Sequence, residues 1–324
     1  MQSAFKNSEN IVEINNLSLG FDIDERFYPA IHSVNFDIKK GKMHAIVGES
    51  GCGKTMTVMS ILRLLPKNAK ITNGEILFED KNLLELKEKD LRKIRGRKIA
   101  LIPQDPMTSL NPLYTIENQM IETVLLHNKV SKKEAYEIAL EALKDVEIQD
   151  PKNRMKAYPH ELSGGMKQRV IIAMALSSHA DVIIADEPTT ALDVTIQAQI
   201  LKLLSDIKKC GKSIILITHD LGIVKQYADF VSIMYLGKVV EKALVDVLFS
   251  DPKHPYTKAL LAALPTIKGK KLENIKGSPS PITKPVIGCP YHPRCKNVKD
   301  ICSNKIFPLK EQPDGSSVAC RLYE

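Results

Sequence analysis

The chain has 324 residues and a formal net charge of +8, and 44% of its residues are hydrophobic. No apolar run approaches the roughly twenty residues that a membrane-spanning helix needs, and residues 1–10 lack the basic and apolar regions of a signal peptide. The composition therefore predicts a chain that stays in the cytoplasm and folds into one large and one small domain.

The positive charge is concentrated near the C-terminus. From residue 268 to the end, eleven Lys and Arg residues stand against five Asp and Glu residues. Aromatic residues make up only 5% of the chain, and no nucleic-acid-binding module is visible in the sequence. We therefore expect a basic segment near a membrane surface or a partner protein, and no nucleic acid as a partner.

A glycine-rich loop with the pattern GxxxxGK[ST] follows an apolar run at residues 44–47, which predicts a buried strand before the loop. Its glycines allow a tight turn with inward-pointing amides, and the helix expected from Lys54 adds the positive end of its dipole. Lys54 is expected to contact the β and γ phosphates of a nucleotide, and Thr55 to ligate Mg²⁺. The loop residues are Gly48, Glu49, Ser50, Gly51, Cys52, Gly53, Lys54 and Thr55.

Three further buried strands are predicted, at residues 98–103, 181–185 and 213–218, and polar side chains follow each of them. Ligands in open α/β sheets bind at the carboxyl ends of strands, so these side chains are candidates for one site. We expect Asp186 to hold Mg²⁺ and Glu187 to polarise the attacking water. Gln104 is expected to touch the metal or the water, and His219 to donate to the γ-phosphate.

A helical insertion is predicted between the second and third of these four strands. Ser131 and Glu134 form a capping-box pattern, and apolar residues then recur at helical spacing. After it, Ser163 precedes Gly164 and Gly165 and is expected to cap a helix that favours an anion at its start. The chain therefore has two anion sites, and the phosphates of one nucleotide do not need both sites from the same protein chain.

Four cysteines lie close to the C-terminus, separated by five, six and seventeen residues. Disulfides are disfavoured in a cytoplasmic chain. A segment poor in apolar residues needs some other cross-link to stabilise its fold, so we expect a metal site. Zinc and an iron–sulfur cluster both suit four thiolates, and the missing CxxC pattern favours the cluster. His292 is a candidate ligand if the metal is zinc. The cysteines are Cys289, Cys295, Cys302 and Cys320.

The motifs occur in a characteristic order: the phosphate loop, Gln104, Leu-Ser-Gly-Gly at 162–165, Asp186–Glu187, Ala-Leu-Asp at 191–193, and His219. This order resembles the ATP-binding subunits of ABC transporters over residues 11–265. The resemblance implies an α/β P-loop NTPase fold of the ABC type, with a mixed sheet core. The ATPase domain would cover residues 1–265 with a helical subdomain at about 106–162, and a Cys-rich C-terminal extension would cover residues 266–324.

The resemblance also implies a head-to-tail dimer in which each ATP lies between two subunits. Ser163, Gly164 and Gly165 would reach the ATP held by the partner, and Asp193 would bridge the two subunits. Beyond the loop residues and Asp186, the nucleotide contacts would include Met56 and an adenine-stacking aromatic. By its place after the predicted first strand, residues 11–19, that aromatic is assigned to Phe21, with Tyr28 as the alternative.

Three stretches resemble the oligopeptide and dipeptide importers, a branch that also includes nickel importers: residues 104–112, Met166, and residues 253–260. Lys167 stands where arginine is commoner in this branch. The resemblance implies ATP hydrolysis coupled to peptide import, on the cytoplasmic face of the membrane. It implies two permease subunits and an extracytoplasmic peptide-binding protein as partners, and a [4Fe–4S] cluster on the four tail cysteines.

Several alternatives remain open from the sequence. One is a nickel-chelate importer ATPase of the same branch. Another is a soluble ABC ATPase whose basic tail would grip nucleic acid, and a third is a redox-sensing regulator built on the four cysteines. The second ATPase subunit is either another copy of this chain or a different protein.

Overall fold

The fold is described from a computed structural model covering residues 9–190, 192–264 and 275–324. The chain divides into two compact units, one formed by residues 1–85 and 217–324 and the other by residues 86–216. The phosphate loop and the cysteine tail both belong to the first unit. Gln104, Glu187 and the Ser-Gly-Gly turn belong to the second.

The strands, in chain order, are β1 (Asn10–Ile23), β2 (Arg26–Lys39), β3 (Met43–Val47), β4 (Ala69–Phe78), β5 (Lys81–Asn82), β6 (Ile99–Ile102), β7 (Val182–Asp186), β8 (Ser213–Thr218), β9 (Phe230–Tyr235), β10 (Lys238–Leu244), β11 (Lys310–Glu311) and β12 (Ser317–Val318). The α-helices are α1 (Lys54–Leu62), α2 (Glu88–Leu91), α3 (Pro106–Ser109), α4 (Ile116–His127), α5 (Lys132–Asp145), α6 (Pro151–Lys156), α7 (Gly164–Ser177), α8 (Val194–Lys209), α9 (Leu221–Tyr227), α10 (Val245–Ser250), α11 (Pro255–Ala262) and α12 (Ile301–Asn304). Short 3₁₀ turns occur at Pro159–Glu161, His292–Arg294 and Arg321–Tyr323.

An antiparallel sheet of order β2-β1-β4-β5 begins the first unit. Strands β1 and β2 form a long hairpin whose turn residues Asp24 and Glu25 have φ of 47° and 60°, as expected for a two-residue turn that matches strand twist. Phe21 lies inside β1, directly opposite Tyr28 of β2. Our placement of Phe21 after the first strand was therefore wrong, because pairing with β2 extends that strand to Ile23.

The sheet that carries the phosphate loop is mixed. In the first unit, β3 runs parallel to β9, β9 pairs antiparallel with β10, and β10 pairs antiparallel with β12, which pairs with β11. Every residue of β3 is buried, as an apolar strand covered on both faces should be. Strands β11 and β12 come from the C-terminal tail, so the tail extends this sheet.

The tail also shares its hydrophobic core with the rest of the first unit. Tyr291 is buried in a cluster with residues of β3, β9, β10 and the helices α9 to α11, and Cys289 and Cys295 pack against that cluster. The rings of Tyr235, Tyr256 and Tyr291 lie 4.6 to 5.2 Å apart, within the range of favourable aromatic pairs. A segment too poor in apolar residues to fold alone is therefore held by packing on the body of the unit.

In the second unit, β6 and β7 are parallel and the strand order is β8-β7-β6. Between β6 and β7 the chain is helical, as the sequence predicts for the insertion. Helix α5 has the expected capping box, in which Ser131 and Glu134 each bond the backbone of the other. Buried apolar faces of α4, α5 and α7 pack together in this region, which is how amphipathic helices bury their apolar stripes.

Some of the sequence-based predictions concern residues outside the described part of the chain. The proposed boundary at 265/266 lies there, as do Ala191 and the charged tail residues Lys268, Lys270, Lys271 and Glu273. The expected subdomain limits at 106 and 162 stay predictions. Among the described residues, no helix is long and apolar enough to cross a membrane.

We predict that Tyr291→Ala destabilises the first unit by about 3 kcal/mol, since it deletes a buried ring and leaves a cavity. The exposed Tyr114→Ala is the matched control and should change the free energy of unfolding by less than about 0.5 kcal/mol. Urea denaturation followed by circular dichroism measures both. Equal effects for the two variants would show that the tail is not packed into the core.

Candidate nucleotide-binding site

The phosphate loop is shaped by close backbone packing at two glycines. A Cβ on Gly48 would lie 2.2 Å from the Met234 carbonyl oxygen, and a Cβ on Gly53 would lie 2.3 Å from Ile31 Cδ1. Gly53 also has φ of 102°, a conformation that side chains disfavour. The loop is thereby pressed against β9 and β2, and helix α1 starts at Lys54 as predicted.

Lys54 is buried, and its ammonium group donates to the carbonyl oxygens of Gly48, at 2.8 Å, and Glu49, at 3.2 Å. The loop therefore curls around the lysine. Cys52 is buried inside this turn, and burial raises the pKa of its thiol, so the thiol stays protonated at neutral pH. Its backbone carbonyl accepts from the Gly237 amide, and its own amide donates to the Glu49 carbonyl.

Glu49 is held from two other elements of the first unit. Its amide donates to the Tyr256 hydroxyl at 3.1 Å, and its carboxylate oxygens each accept from Arg294 Nη1 at 3.0 Å. Burial raises the pKa of Tyr256 far above its usual range, so its hydroxyl stays neutral. The loop is thus supported by α11 and by the C-terminal tail.

The other predicted site residues of the first unit differ in how far they are buried. Thr55 and Met56 lie half-buried in the first turn of α1, and Ser50 and Gly51 are exposed at the loop's tip. His219 is exposed directly after β8, where Asp220 caps α9. Phe21 and its partner Tyr28 are half-buried on the β1–β2 hairpin.

In the second unit, two predicted catalytic residues contact each other. The Gln104 amide nitrogen donates to Glu187 Oε2 at 3.3 Å, and the Thr190 hydroxyl donates to the same oxygen at 3.1 Å. Asp186 is buried as the last residue of β7, not after it. Glu187 has φ of 44°, and such left-handed strain in a bulky residue is concentrated at functional sites.

The Ser-Gly-Gly turn opens α7 as expected. The Ser163 hydroxyl caps this helix by accepting from the Met166 amide. A Cβ on Gly165 would lie 2.8 Å from Ile196 Cγ2, whereas one on Gly164 would meet nothing nearer than Leu192 Cδ2 at 3.6 Å. Packing within the chain therefore explains Gly165 and leaves Gly164 without a steric reason. Asp193, the predicted bridge between subunits, caps α8 by accepting from Ile196.

The four tail cysteines line one cavity together with His292 and Arg321. The cavity holds about 20 Å³, room for about one water molecule, and a four-iron cube needs more. In the absence of a metal, burial raises the pKa of the Cys289 thiol to about 11. Among the described residues, no three His, Cys, Asp or Glu side chains are arranged to hold a metal ion. The described residues therefore show no preformed site for the expected [4Fe–4S] cluster or for the zinc alternative.

Sequence reasoning missed the residues that support the loop from a distance. Arg294 and Tyr256 both bond to Glu49, and Tyr235 accepts a hydrogen bond from Arg294. Arg294 is 245 positions away from Glu49, and no local pattern marks such a pair. The one sequence feature that could have pointed to Arg294 is its place directly before Cys295, in the cysteine-rich segment.

Comparison with known proteins agrees with this geometry. Residues 31–190 match the ABC transporter family model, and residues 240–302 match the model for the oligopeptide/dipeptide transporter C-terminal region. A probable peptide ABC transporter ATP-binding protein of Sinorhizobium fredii is 47% identical over 325 residues, which cover 99% of this chain and 97% of that protein. The dipeptide transport ATP-binding protein DppD of Bacillus subtilis is 47% identical over 98% of this chain and 96% of its own length.

The chain belongs to the oligopeptide/dipeptide importer family of ABC transporter ATP-binding subunits. The fold agrees: the dimeric post-hydrolysis structure of the ATP-binding cassette MJ0796, bound to ADP and phosphate, matches with a TM-score of 0.65 and 30% identity. That match covers 72% of this chain and 98% of the cassette. As a member of this family, the chain is an ABC-type ATPase, and the predicted fold class is confirmed.

We predict that Gly48→Ala lowers the free energy of unfolding by about 1–3 kcal/mol, since its Cβ would press on the Met234 backbone. Gly164→Ala is the matched control, because its Cβ has ordinary space and alanine favours a helix. It should leave stability unchanged or slightly higher. Thermal denaturation of both variants measures the difference, and equal losses would contradict the packing described for Gly48.

Proposed function

We propose that this chain binds ATP with Mg²⁺ at the phosphate loop and hydrolyses it to drive peptide import through a membrane permease. Two observations carry the proposal: a glycine loop is curled around Lys54, and the carboxylate of Glu187, a residue with left-handed backbone, is held by Gln104 and Thr190. The first suits a polyphosphate and the second suits a carboxylate that must point at water.

The residues present fit ATP and Mg²⁺. The Lys54 ammonium and the amides around Gly51 and Gly53 offer positive charge and donors for phosphate oxygens. The Thr55 hydroxyl and the Asp186 carboxylate are oxygen ligands of the kind Mg²⁺ takes. Mg²⁺ needs few protein ligands when substrate phosphates supply the rest, so the lack of a three-residue cluster among the described residues is no obstacle.

In the proposed reaction, Lys54 draws the β and γ phosphates into the loop and neutralises charge that develops on them. Bound Mg²⁺ would supply further charge stabilisation on the phosphate oxygens. Glu187 orients the attacking water and accepts its proton, while the Gln104 amide holds the Glu187 carboxylate in place. His219 is proposed to donate to the γ-phosphate, and Phe21 or Tyr28 to stack on the adenine.

The Ser-Gly-Gly turn is proposed to complete the ATP site of a second subunit. Among the described residues, a Cβ on Gly164 would meet only ordinary van der Waals contact, and a bare backbone at a helix start is what close approach to a phosphate needs. The cassette MJ0796 is described as dimeric, which supports a pair of ATPase subunits, and we propose that this pair is head-to-tail. Asp193 is proposed to bridge the subunits in addition to capping α8. Either a second copy or a different ATPase fits the site.

Peptides are the proposed cargo, because the relatives from Sinorhizobium fredii and Bacillus subtilis are named for peptide and dipeptide transport. Two permease subunits and an extracytoplasmic peptide-binding protein follow as proposed partners, with the ATPase on the cytoplasmic face of the membrane. The same names do not favour the nickel alternative. The match of residues 240–302 to a transporter-specific family model argues against a nucleic-acid ATPase.

A [4Fe–4S] cluster on the tail cysteines is a separate proposal, and no step of ATP hydrolysis uses it. Its support is that all four cysteines line one cavity. Holding a cluster would require that cavity to widen and the thiols to lose their protons.

We predict that Glu187→Gln binds ATP normally but hydrolyses it at least a hundredfold more slowly, since the water loses its base. Lys54→Ala should instead weaken ATP binding itself, because phosphate charge loses its partner. Equilibrium binding of a fluorescent ATP analogue and phosphate release measure the two effects separately.

In cells, either variant should also stop uptake of a labelled dipeptide. Near-normal hydrolysis by Glu187→Gln would reject its role as base. Uptake of a nickel chelate, with none of dipeptide, would reject peptides as cargo.

For the tail, protein purified without oxygen should be brown with broad visible absorption if the cluster forms, and Cys302→Ser should lose that absorption. A colourless protein with one zinc per chain would contradict the cluster. The measurement is a visible spectrum paired with metal analysis.

A further inference from the structure

Arg294 connects the C-terminal tail to the phosphate loop through every nitrogen of its guanidinium. Nη1 donates to both Glu49 carboxylate oxygens at 3.0 Å and to the Tyr235 hydroxyl at 3.2 Å. Nε donates to the Lys276 carbonyl at 2.9 Å, and Nη2 donates to the Gly277 carbonyl at 3.0 Å. One side of the guanidinium therefore grips the tail, and the other grips the loop.

This ion pair is shielded from water. The Arg294 side chain is 8% exposed and that of Glu49 is 23% exposed. Exposed ion pairs contribute little because water screens them, whereas shielded pairs interact strongly and leave a costly charge behind when one partner is lost. The Arg294 guanidinium also lies over the Tyr235 ring, 5.8 Å from its centroid, which favours the cation further.

Glu49 places a negative charge in the phosphate loop, and Arg294 is the cation bonded to it. A carboxylate in a loop that binds phosphates would repel them if its charge were not compensated. Arg294 compensates that charge and fixes the direction of the carboxylate at the same time. With the Glu49 amide held by Tyr256 and its carbonyl by Lys54, every polar group of this residue has a partner.

The position of Arg294 depends on the folded tail. The residue ends the 3₁₀ turn His292–Arg294, between Tyr291 in the shared core and Cys295 on the cysteine-lined cavity. Its two tail acceptors, Lys276 and Gly277, lie at the start of the described tail. A change in the conformation of this segment therefore moves the guanidinium and alters its grip on Glu49.

We propose that Arg294 is a positioning residue for the phosphate loop, so that the C-terminal tail is a working part of the nucleotide site and sets its affinity for ATP. The proposal rests on the proposed ATP site at that loop. It assigns to the tail a role in the binding of ATP by its own chain that does not depend on what the cysteines hold.

The test is equilibrium binding of a methylanthraniloyl derivative of ATP, with Mg²⁺, to the full-length chain and its variants. Arg294→Gln should weaken binding about tenfold, which equals about 1.4 kcal/mol, since Glu49 is then uncompensated and the loop loses its support. Arg294→Lys should lose less, because it keeps the charge without the fork of donors. Adding Glu49→Gln to Arg294→Gln should recover part of the affinity, because the repelling charge is gone.

The matched control is Asp314→Asn, which breaks the ion pair between the tail and Lys253; the side-chain bonds of Asp314 go to Lys253 and Ser316 and not to the loop. It should leave ATP affinity unchanged. Thermal denaturation of every variant reports on tail folding, and a merely structural role for Arg294 would predict no rescue by Glu49→Gln.

Three results would overturn the proposal: wild-type affinity in Arg294→Gln, an equal loss in Asp314→Asn, or a double variant that binds no better than Arg294→Gln. Lys54→Ala separates this failure from that of the ATP site. If Lys54→Ala binds ATP as the wild type does, the site itself is wrong. If only Lys54→Ala loses binding, the site stands and the role of Arg294 falls.

Discussion

The close contact between Gly48 and the Met234 carbonyl is the constraint on which the shape of the phosphate loop depends. With no side chain at that position, the loop lies directly on β9, and its next residue reaches both Tyr256 and Arg294. The carbonyl of the same glycine accepts from the Lys54 ammonium. The shape of the phosphate loop is therefore set by tertiary contact with the sheet as much as by the glycines of the loop.

Local patterns predicted the parts of the protein whose cause is local. The capping boxes and caps at Ser131 and Ser163, the start of α1, and β8 all lie where the sequence placed them. The fold class followed from the order of motifs along the chain. Strand ends were less predictable: β1 runs to Ile23 because β2 pairs with it, and β7 includes Asp186. Partner strands set those limits, and the partners are invisible in a short window.

What the sequence could not supply is the set of contacts between distant segments. The bond between Gln104 and Glu187 spans 83 positions, and that between Arg294 and Glu49 spans 245. The strand-end pattern predicts that Gln104 and Glu187 share a site but not that they bond to each other, whereas no pattern marks Arg294 as a partner of Glu49. The tail was expected as an appendage stabilised by a metal, because its own apolar content is low. Its core is instead shared with the body through Tyr291, which composition alone does not reveal.

The two short strands of the tail have a consequence for how the protein is made. β12 pairs with β10 at Glu241 and Lys242, so β10 has an open edge until residues 317–318 arrive. An open edge can recruit a strand from another chain, and residues 317–318 are synthesised after β9 and β10. The sheet that bears the phosphate loop is thus complete only once the tail has been made, and a chain that lacks the tail would expose an edge suited to aggregation.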